Sequence, residues 1–208
     1  MKLHFTVALL ALTLVMGCSN KDAQASKPAA QDKAKTEAAK PQARIIHESG
    51  FDAKKSFIVI SKKDLCLSVY APINGDTTLL ARFPACLSKN KGNKQRKGDM
   101  KTPESPAGKP FKITMIQDAS AWKHDFKDGR GSILAYGHWF LRLATPGHSG
   151  IGIHGSTNNE ASVPGRASEG CIRLRDNDII TLKEKYARVG MPVIIKTEEQ
   201  GLLPFEKE

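Results

Sequence analysis

The sequence of 208 residues is long enough for one folded domain with extra segments at its ends, and short for two domains that each need a core. Its hydrophobic share of 40% and charged share of 25% are those of a globular protein, whereas its formal net charge of +11 is unusually basic. The Lys and Arg residues are scattered and seldom lie beside aromatic residues, which argues against a nucleic-acid partner and favours a charged, soluble surface. The four cysteines, at positions 18, 66, 86 and 171, lack the spacing of a metal site, so we expect neither a metal nor a cofactor.

The first 17 residues have the pattern of a targeting segment. Lys2 supplies a positive charge, and the apolar run over residues 5–15 is too short to cross a bilayer in the mature protein. The run ends in the letters LVMGC at positions 14–18, which resemble the lipobox of bacterial lipoproteins. The resemblance implies a signal peptide over residues 1–17, a lipid on Cys18, and a protein anchored in the cell envelope that faces the periplasm. An ordinary signal peptide, in which Cys18 has no role, is the alternative, and it also leads out of the cytoplasm.

Residues 18–48 consist mainly of Ala, Lys, Gln and Pro, with no large apolar residue before Ile45. Such a composition buries too little apolar surface to offset the conformational entropy lost on ordering, so we predict a flexible tether. The tether would give a folded domain reach away from the membrane. We place that domain at residues 49–198 and a short tail at 199–208.

Three segments at the start of the domain predict β-structure. Residues 56–60 and 65–70 are rich in β-branched and aromatic residues. An Asn-Gly-Asp turn at 74–76 then leads into a strand at 77–83, so the second and third segments form a hairpin.

The register of this hairpin decides what Cys66 faces. If the turn is centred on Asp76, Cys66 faces Cys86, and a disulfide can form in an oxidising compartment. If the turn is centred one and a half residues earlier, Cys66 faces Phe83. The sequence leaves both registers open.

The rest of the domain alternates between loops and short strands. Residues 89–109 are polar and rich in Gly and Pro, which predicts a loop. Residues 117–136 have no clear period, and we expect a loop or a short helix there. Further strands are predicted at 111–116, 139–143, 151–154, 170–174 and 193–195.

One helix is predicted near the C-terminus. Asp176 or Asn177 can cap its start, and Gly190 with the following Pro192 ends it. Its apolar stripe, with steps of three and four positions, consists of Ile179, Leu182, Tyr186 and Val189. Since no alternation of strand and helix appears, the sequence predicts a mainly β fold, a barrel or sandwich with this one helix.

Two short segments carry chemistry. His154-Gly155 ends an apolar strand, and Cys171 lies in the run Ser-Glu-Gly-Cys-Ile-Arg at 168–173. A thiol attacks a carbonyl as the thiolate, so it needs a base, and an imidazole within hydrogen-bond reach can take its proton. Gly170 allows a close backbone approach, and the N–H groups of Gly170 and Cys171 can point at a developing oxyanion.

These segments resemble the L,D-transpeptidase catalytic domain family (YkuD type), whose signature is a His-Gly strand end followed by Ser-x-Gly-Cys-(Ile/Val)-Arg. The resemblance extends to Gly98 with the Lys-Thr-Pro run at 101–103, and to the Trp-Phe-Leu-Arg run at 139–142. It implies an L,D-transpeptidase-like β fold and an enzyme that acts on peptidoglycan stem peptides. We expect the chain to act as a monomer. Cys171 would form a thioester with a donor tetrapeptide, release D-alanine and pass the acyl group to an amine.

The resemblance also implies roles for the neighbouring residues. His154 would be the base, the Gly155 carbonyl would orient it, and Arg173 would hold a substrate carboxylate. Ser168 would support the turn beside the substrate. Glu169 lies where the family often has His. Arg173 could instead pair with Asp176 or Asp178 across the turn.

Further residues are candidates for the substrate cleft. Trp139 is a candidate for the substrate cleft, with a place in the core as the alternative. Trp122 lies in the segment 117–136, our candidate for an acceptor pocket. Solvated histidines near the site could also touch substrate: His124, His138 and His148.

Three other functions compete with transpeptidation. A hydrolase on the same scaffold would resolve the thioester with water, as a carboxypeptidase or as an amidase that frees wall-linked protein. A thiol redox protein would use Cys66, Cys86 and Cys171, but the sequence has no C-x-x-C pair. A wall-binding module without catalysis would not need both His154 and Cys171.

Overall fold

A computed structural model describes residues 39–207, so the predicted signal peptide, Cys18 and most of the predicted tether lie outside the described residues. The strands, in chain order, are β1 (Arg44–Ile45), β2 (Phe57–Ser61), β3 (Cys66–Ile73), β4 (Asp76–Pro84), β5 (Cys86–Ser88), β6 (Phe111–Asp118), β7 (Lys123–Asp125), β8 (Ser132–Leu134), β9 (Trp139–Leu143), β10 (Gly152–His154), β11 (Gly165–Ser168), β12 (Ile172–Arg173) and β13 (Pro192–Ile195). One α-helix, α1, covers Asp176–Lys185, and short 3-10 turns cover Ala53–Lys55 and Glu160–Ser162. None of the described helices has the length and apolar character needed to cross a membrane.

Most strands of residues 39–207 belong to one sheet, in the order β1-β4-β3-β2-β13-β6-β9-β10-β12-β5-β11. Leu67 on β3, Leu141 on β9 and Ile153 on β10 are fully buried in one hydrophobic cluster, so the two halves of the sheet cover a common core. The sheet has two ends, β1 and β11, and therefore corresponds to the sandwich form of the prediction. The predicted mainly β class with one helix near the C-terminus is confirmed.

The hairpin of β3 and β4 has neither of the two registers expected for Cys66. A β-bulge between Val69 and Tyr70 shifts the pairing, and Cys66 faces Pro84. Cys86 lies on the separate strand β5, which pairs with β11 and β12 in the other half of the sheet. Both thiols are free, so the structure contains no disulfide between them.

The segment 117–136 forms a hairpin instead of the expected loop or short helix. β6 continues to Asp118, and β7 then pairs with β8 in a separate two-stranded sheet. The turn between them relies on positive φ at Lys127 (57°), Gly129 (89°) and Gly131 (68°). Such turn residues leave no apolar period, which is why the pattern did not reveal the strands.

The helix is shorter than predicted. It begins after Arg175, which occupies the N-cap position without a side-chain hydrogen bond, so neither predicted capping residue caps it. It ends at Lys185, and Val189 is 60% exposed, outside the buried stripe. Tyr186, at the C-cap, is buried and donates a hydrogen bond to the His47 carbonyl at 3.0 Å.

The packed region extends beyond residues 49–198 at both ends. β1, inside the predicted tether, pairs with β4, and the Lys40 ammonium donates to the Ala161 carbonyl at 2.6 Å. In the predicted tail, the Phe205 ring packs on Tyr70, with ring centres 5.2 Å apart, and Glu206 forms a 2.7 Å ion pair with buried Lys196. These terminal residues therefore contribute to the fold.

Candidate active site

Parallel pairing of β10 with β12 brings the two predicted catalytic segments together. Ile153 faces Ile172 and His154 faces Arg173, so Cys171, directly before β12, lies beside β10. Both His154 and Cys171 line one cavity of about 390 Å³. Its other lining residues are Lys94, Lys97, Gly98, Met100, His124, Phe126, Ala135, Tyr136, Gly147, His148, Ser149, Gly150, Ile151, Ser168, Glu169 and Arg173.

The hydrogen bond of His154 fixes its tautomer. Nδ1 lies 2.6 Å from the Gly155 carbonyl oxygen, which can only accept, so Nδ1 carries the proton and Nε2 is left as a base. Burial, and then the Arg173 guanidinium, lower the pKa of His154 from 6.5 to about 3, although the bond to Gly155 acts in the opposite direction. The imidazole is therefore neutral at ordinary pH.

The end of β10 is tied to the start of α1. The Gly155 N–H donates to the Tyr136 carbonyl at 2.7 Å, and the Ser156 N–H donates to the Asp176 carboxylate at 2.6 Å. A side chain at Gly155 would collide with the Asp176 carboxylate and with the backbone of Gly137. This packing holds the Gly155 carbonyl in place beside Nδ1 of His154.

The Cys171 thiol is a protonated group in its resting state. It donates to the Gly150 carbonyl at 3.4 Å. Burial raises the pKa of the Cys171 thiol, and the Gly152 N–H and the cations of Arg173 and Lys94 offset this only in part. The Cys171 thiol and the His154 imidazole, which line the same cavity, are therefore both uncharged near neutral pH.

The turn before Cys171 is held by Ser168. Its hydroxyl donates to the Cys171 carbonyl at 2.6 Å and accepts from the Gly170 N–H at 3.2 Å. Ser168 is buried, and its hydroxyl is engaged in the turn, which matches the expected support rather than substrate binding. Because the Gly170 N–H already donates to Ser168, it is not free to point at an oxyanion, as the sequence suggested.

Gly170 permits the close approach of another backbone segment of the protein, whereas the sequence suggested an approach of the substrate. Its φ is +140°, and a Cβ at this position would lie 2.9 Å from the Lys101 carbonyl oxygen. The loop that carries Lys101 belongs to the segment 89–109. The turn before Cys171 and this loop are therefore in direct contact.

Arg173 is buried beside the cavity and has one unpaired donor. Its Nη1 donates to the Ser162 hydroxyl at 3.0 Å, and its guanidinium lies over the Phe126 ring, 5.3 Å from the centre. Its Nε is buried without a hydrogen-bond partner among the described residues. The alternative pairing of Arg173 with Asp176 or Asp178 is not formed: the Asp176 carboxylate accepts from the Ser156 N–H, and Asp178 Oδ2 has no partner among the described residues.

The structure does not support a cleft position for Trp139. This residue lies on β9 with its ring beneath the Lys183 ammonium, 4.3 Å away, and packs against the core outside the lining of the cavity. Side chains alternate along β9, so Phe140 stacks on His154 at 5.6 Å while Trp139 points to the other face. Trp122 packs on Tyr136 and does not line the cavity either.

Other lining residues were missed or left undecided by the sequence. Lys94, 7% exposed, comes from the segment predicted as a plain loop and pairs with Asp99 at 2.8 Å. His124 and His148 line the cavity, whereas exposed His138 does not. No local pattern marks these positions, because the tertiary fold brings them to the site.

Two lining residues on different elements meet across the cavity. His124 Nε2 on β7 lies 3.5 Å from Glu169 Oε2 on the turn before Cys171, and both side chains are partly exposed. The Glu169 carboxylate thus has a partner away from the thiol. Within residues 39–207, no group of three His, Cys, Asp or Glu side chains is arranged to hold a metal ion.

Comparison with known proteins gives a family match and several similar folds. The model of the YkuD family, described as an L,D-transpeptidase catalytic domain, matches residues 55–195. Among solved structures, Bd1075 from Bdellovibrio bacteriovorus is 23% identical with a TM-score of 0.48, covering 73% of this chain and 51% of that one. A mutant of the helical cell shape determining protein Pgp2 from Campylobacter jejuni is 18% identical with a TM-score of 0.51, covering 70% and 48%.

The structural similarities concern the fold alone. The chain spans about half the length of Bd1075 and of Pgp2. An L,D-transpeptidase from Mycobacterium smegmatis is 19% identical with a TM-score of 0.45, covering 69% of this chain and 59% of that one. No curated protein matches the sequence.

Proposed function

Because the chain belongs to the L,D-transpeptidase catalytic domain family, we propose that it is a peptidoglycan L,D-transpeptidase with Cys171 as its nucleophile. Cys171 forms a thioester with a donor stem tetrapeptide, releases the terminal D-alanine and passes the acyl group to an amine. The observation that carries this proposal is the pairing of β10 with β12, which brings a neutral His154 and the Cys171 thiol into one cavity.

Acylation begins with proton transfer between these two groups. The thiol leaves its Gly150 partner, and His154 Nε2 takes its proton while the sulfur attacks the donor carbonyl. The imidazolium then returns the proton to the nitrogen of the departing D-alanine, and the thioester remains. A low pKa makes His154 a weak base in the resting site, so the transfer has to be coupled to carbonyl attack.

The donor is held by its carboxylates. Arg173 lines the cavity, and its guanidinium can receive a substrate carboxylate there. Lys94 adds a second cation to the lining of this cavity. The Cys171 N–H is the remaining candidate for the oxyanion, since Gly170 donates within the turn.

The location belongs to the same proposal. A lipid on Cys18 would anchor the protein in the cell envelope with its domain facing the periplasm, and the tether would give it reach toward the wall. The chain would act as a monomer. Edman or mass analysis of the N-terminus of the envelope-extracted protein tests the lipid: a mature chain that begins at unmodified residues other than Cys18 would contradict it.

The catalytic assignment is tested with the purified protein, tetrapeptide muropeptides and mass spectrometry. Cys171→Ala should melt like the wild type but form no thioester and no product, and His154→Ala should leave a trace of activity. Cys66→Ala, which removes a thiol outside the cavity, is the matched control and should keep its products. Muropeptide remodelling by Cys171→Ala would refute the nucleophile, and hydrolysed tripeptide as the sole product of the wild type would make the enzyme a carboxypeptidase.

A further inference from the structure

We infer that Glu169 and His124 form the subsite for the acceptor amine: Glu169 binds its ammonium group and His124 removes one of its protons. The inference rests on the proposed function and goes beyond it, because that function requires an amine acceptor without naming the residues that receive it. The observation behind it is the contact of these two side chains across the cavity that also holds Cys171.

The cavity is lined by charged residues of both signs. Lys94, Lys97 and Arg173 are cationic and suit the carboxylates of a donor stem. Within the described range of the chain, Glu169 is the one carboxylate among the lining residues. An ammonium group is repelled by the three cations and attracted by Glu169, so Glu169 is the lining residue that suits the acceptor amine.

The position of Glu169 suits an amine that attacks the thioester. It is two residues from Cys171, and two residues of chain span at most about 7 Å between Cα atoms. The separation of 3.5 Å between Glu169 Oε2 and His124 Nε2 exceeds a normal hydrogen bond, and an amine nitrogen can lie at about 2.9 Å from both atoms. The two side chains are 39% and 31% exposed, so an acceptor can reach them from solvent.

The proton balance requires a second base. An acceptor that arrives as R–NH3⁺ becomes the amide R–NH–C(=O), and it loses two protons on the way. One proton returns to the Cys171 sulfur through His154 when the carbon–sulfur bond breaks. The other has to leave before attack, because an ammonium nitrogen has no lone pair, and the neutral form of His124 takes it and passes it to solvent.

The hairpin that carries His124 does not depend on Glu169 for its position. Arg130 in the turn of this hairpin donates to the Asn158 carbonyl at 3.0 Å and to the Asn159 side chain at 2.8 Å. Phe126 also packs under the Arg173 guanidinium. Replacing the Glu169 carboxylate should therefore leave the hairpin over the cavity, so its effect reports on the acceptor.

The experiment compares two nucleophiles in the purified protein. A second stem peptide offers an ammonium group, whereas hydroxylamine is neutral near pH 7.5 and has to lose one proton fewer. The ratio of transferred to hydrolysed product is measured by mass spectrometry for the wild type and for Glu169→Gln. Glu184→Gln, which removes an exposed acid on α1 outside the cavity, is the charge-matched control.

We expect Glu169→Gln to lower the ratio for the stem peptide about tenfold more than for hydroxylamine, because a charge-assisted hydrogen bond is lost. Glu184→Gln should match the wild type. An equal fall for both nucleophiles, no fall, or a wild type that forms the thioester and transfers it to neither nucleophile would each overturn the inference. Absence of a Cys171 thioester from the intact mass of the wild type would instead overturn the proposed function, and this inference with it.

Discussion

Acidification should destabilise this fold through one buried imidazole, that of His154, and His154→Gln should remove that part of the loss. His154 is 4% exposed, and burial, followed by the Arg173 guanidinium, lowers its pKa from 6.5 to about 3. In the unfolded chain the pKa returns to its ordinary value. Between these two values the unfolded state binds a proton that the folded state does not, so stability that is complete above pH 6.5 is lost as the pH falls toward 3.

The size of the effect follows from the two pKa values. A difference between 6.5 and about 3 corresponds to about 5 kcal/mol once both states are protonated. At pH 5, about 2 kcal/mol of this is already lost. Since domains are stable by only about 5–15 kcal/mol, such a loss is readily measured.

Urea unfolding of the wild type and of His154→Gln between pH 5 and pH 8 provides the assay. The Gln amide can still donate to the Gly155 carbonyl, and the carboxylates titrate in both proteins, so the difference between the two curves reports on the imidazole. That difference should be flat above about pH 7 and change by about 2 kcal/mol by pH 5. Parallel curves would show that the imidazole is not held neutral, and would refute the account of His154 as an uncharged base.

Three further substitutions or measurements test the frame around the site. Gly170→Ala places a methyl group 2.9 Å from the Lys101 carbonyl oxygen at a φ of +140°. It should lower the free energy of unfolding by about 1–3 kcal/mol and slow acylation of the Cys171 thiol. An unchanged melting curve and an unchanged acylation rate would contradict the turn geometry. Lys62→Met leaves the partly buried Glu104 carboxylate and two backbone carbonyls without their donor. Denaturation should show a loss of about 3–5 kcal/mol in the free energy of unfolding, and a loss below about 1 kcal/mol would count against the network. Thiol titration of the unfolded, unreduced protein should find Cys66 and Cys86 both reactive, whereas a bridge between them would contradict the observed register.

The fold class was predictable because its signals are local. The apolar steps from Ile179 to Leu182 and the strand-forming run of β2 depend on neighbours in sequence, and both elements are present. The bulge after Val69 depends on how two strands fit together, and it moved Cys66 opposite Pro84. Pairings across the sheet, such as β5 with β11, have no local signature.

The same division applies to the site. Cys171 and His154 were named from two short segments, and the parallel pairing of β10 with β12 brings those segments together. Lys94 and Tyr136 reach the cavity from distant parts of the chain, and no spacing predicts their arrival. Glu169 was visible as a departure from the family pattern, but its interpretation needed His124, which arrives on a hairpin that the sequence did not reveal.

A buried cation, the Lys62 ammonium, holds the loop at 89–109 in contact with the turn before Cys171. Lys62 is fully buried and donates to the Gly92 carbonyl at 2.9 Å and to the Thr102 carbonyl at 2.7 Å. An apolar residue could not satisfy these carbonyls, so a loop without regular structure needs this ammonium to be held in one conformation. Lys101 lies next to Thr102, and its carbonyl is the group that Gly170 accommodates. The position of Cys171 thus depends on a lysine more than a hundred residues earlier in the chain, through backbone contacts that leave no trace in the sequence around Cys171.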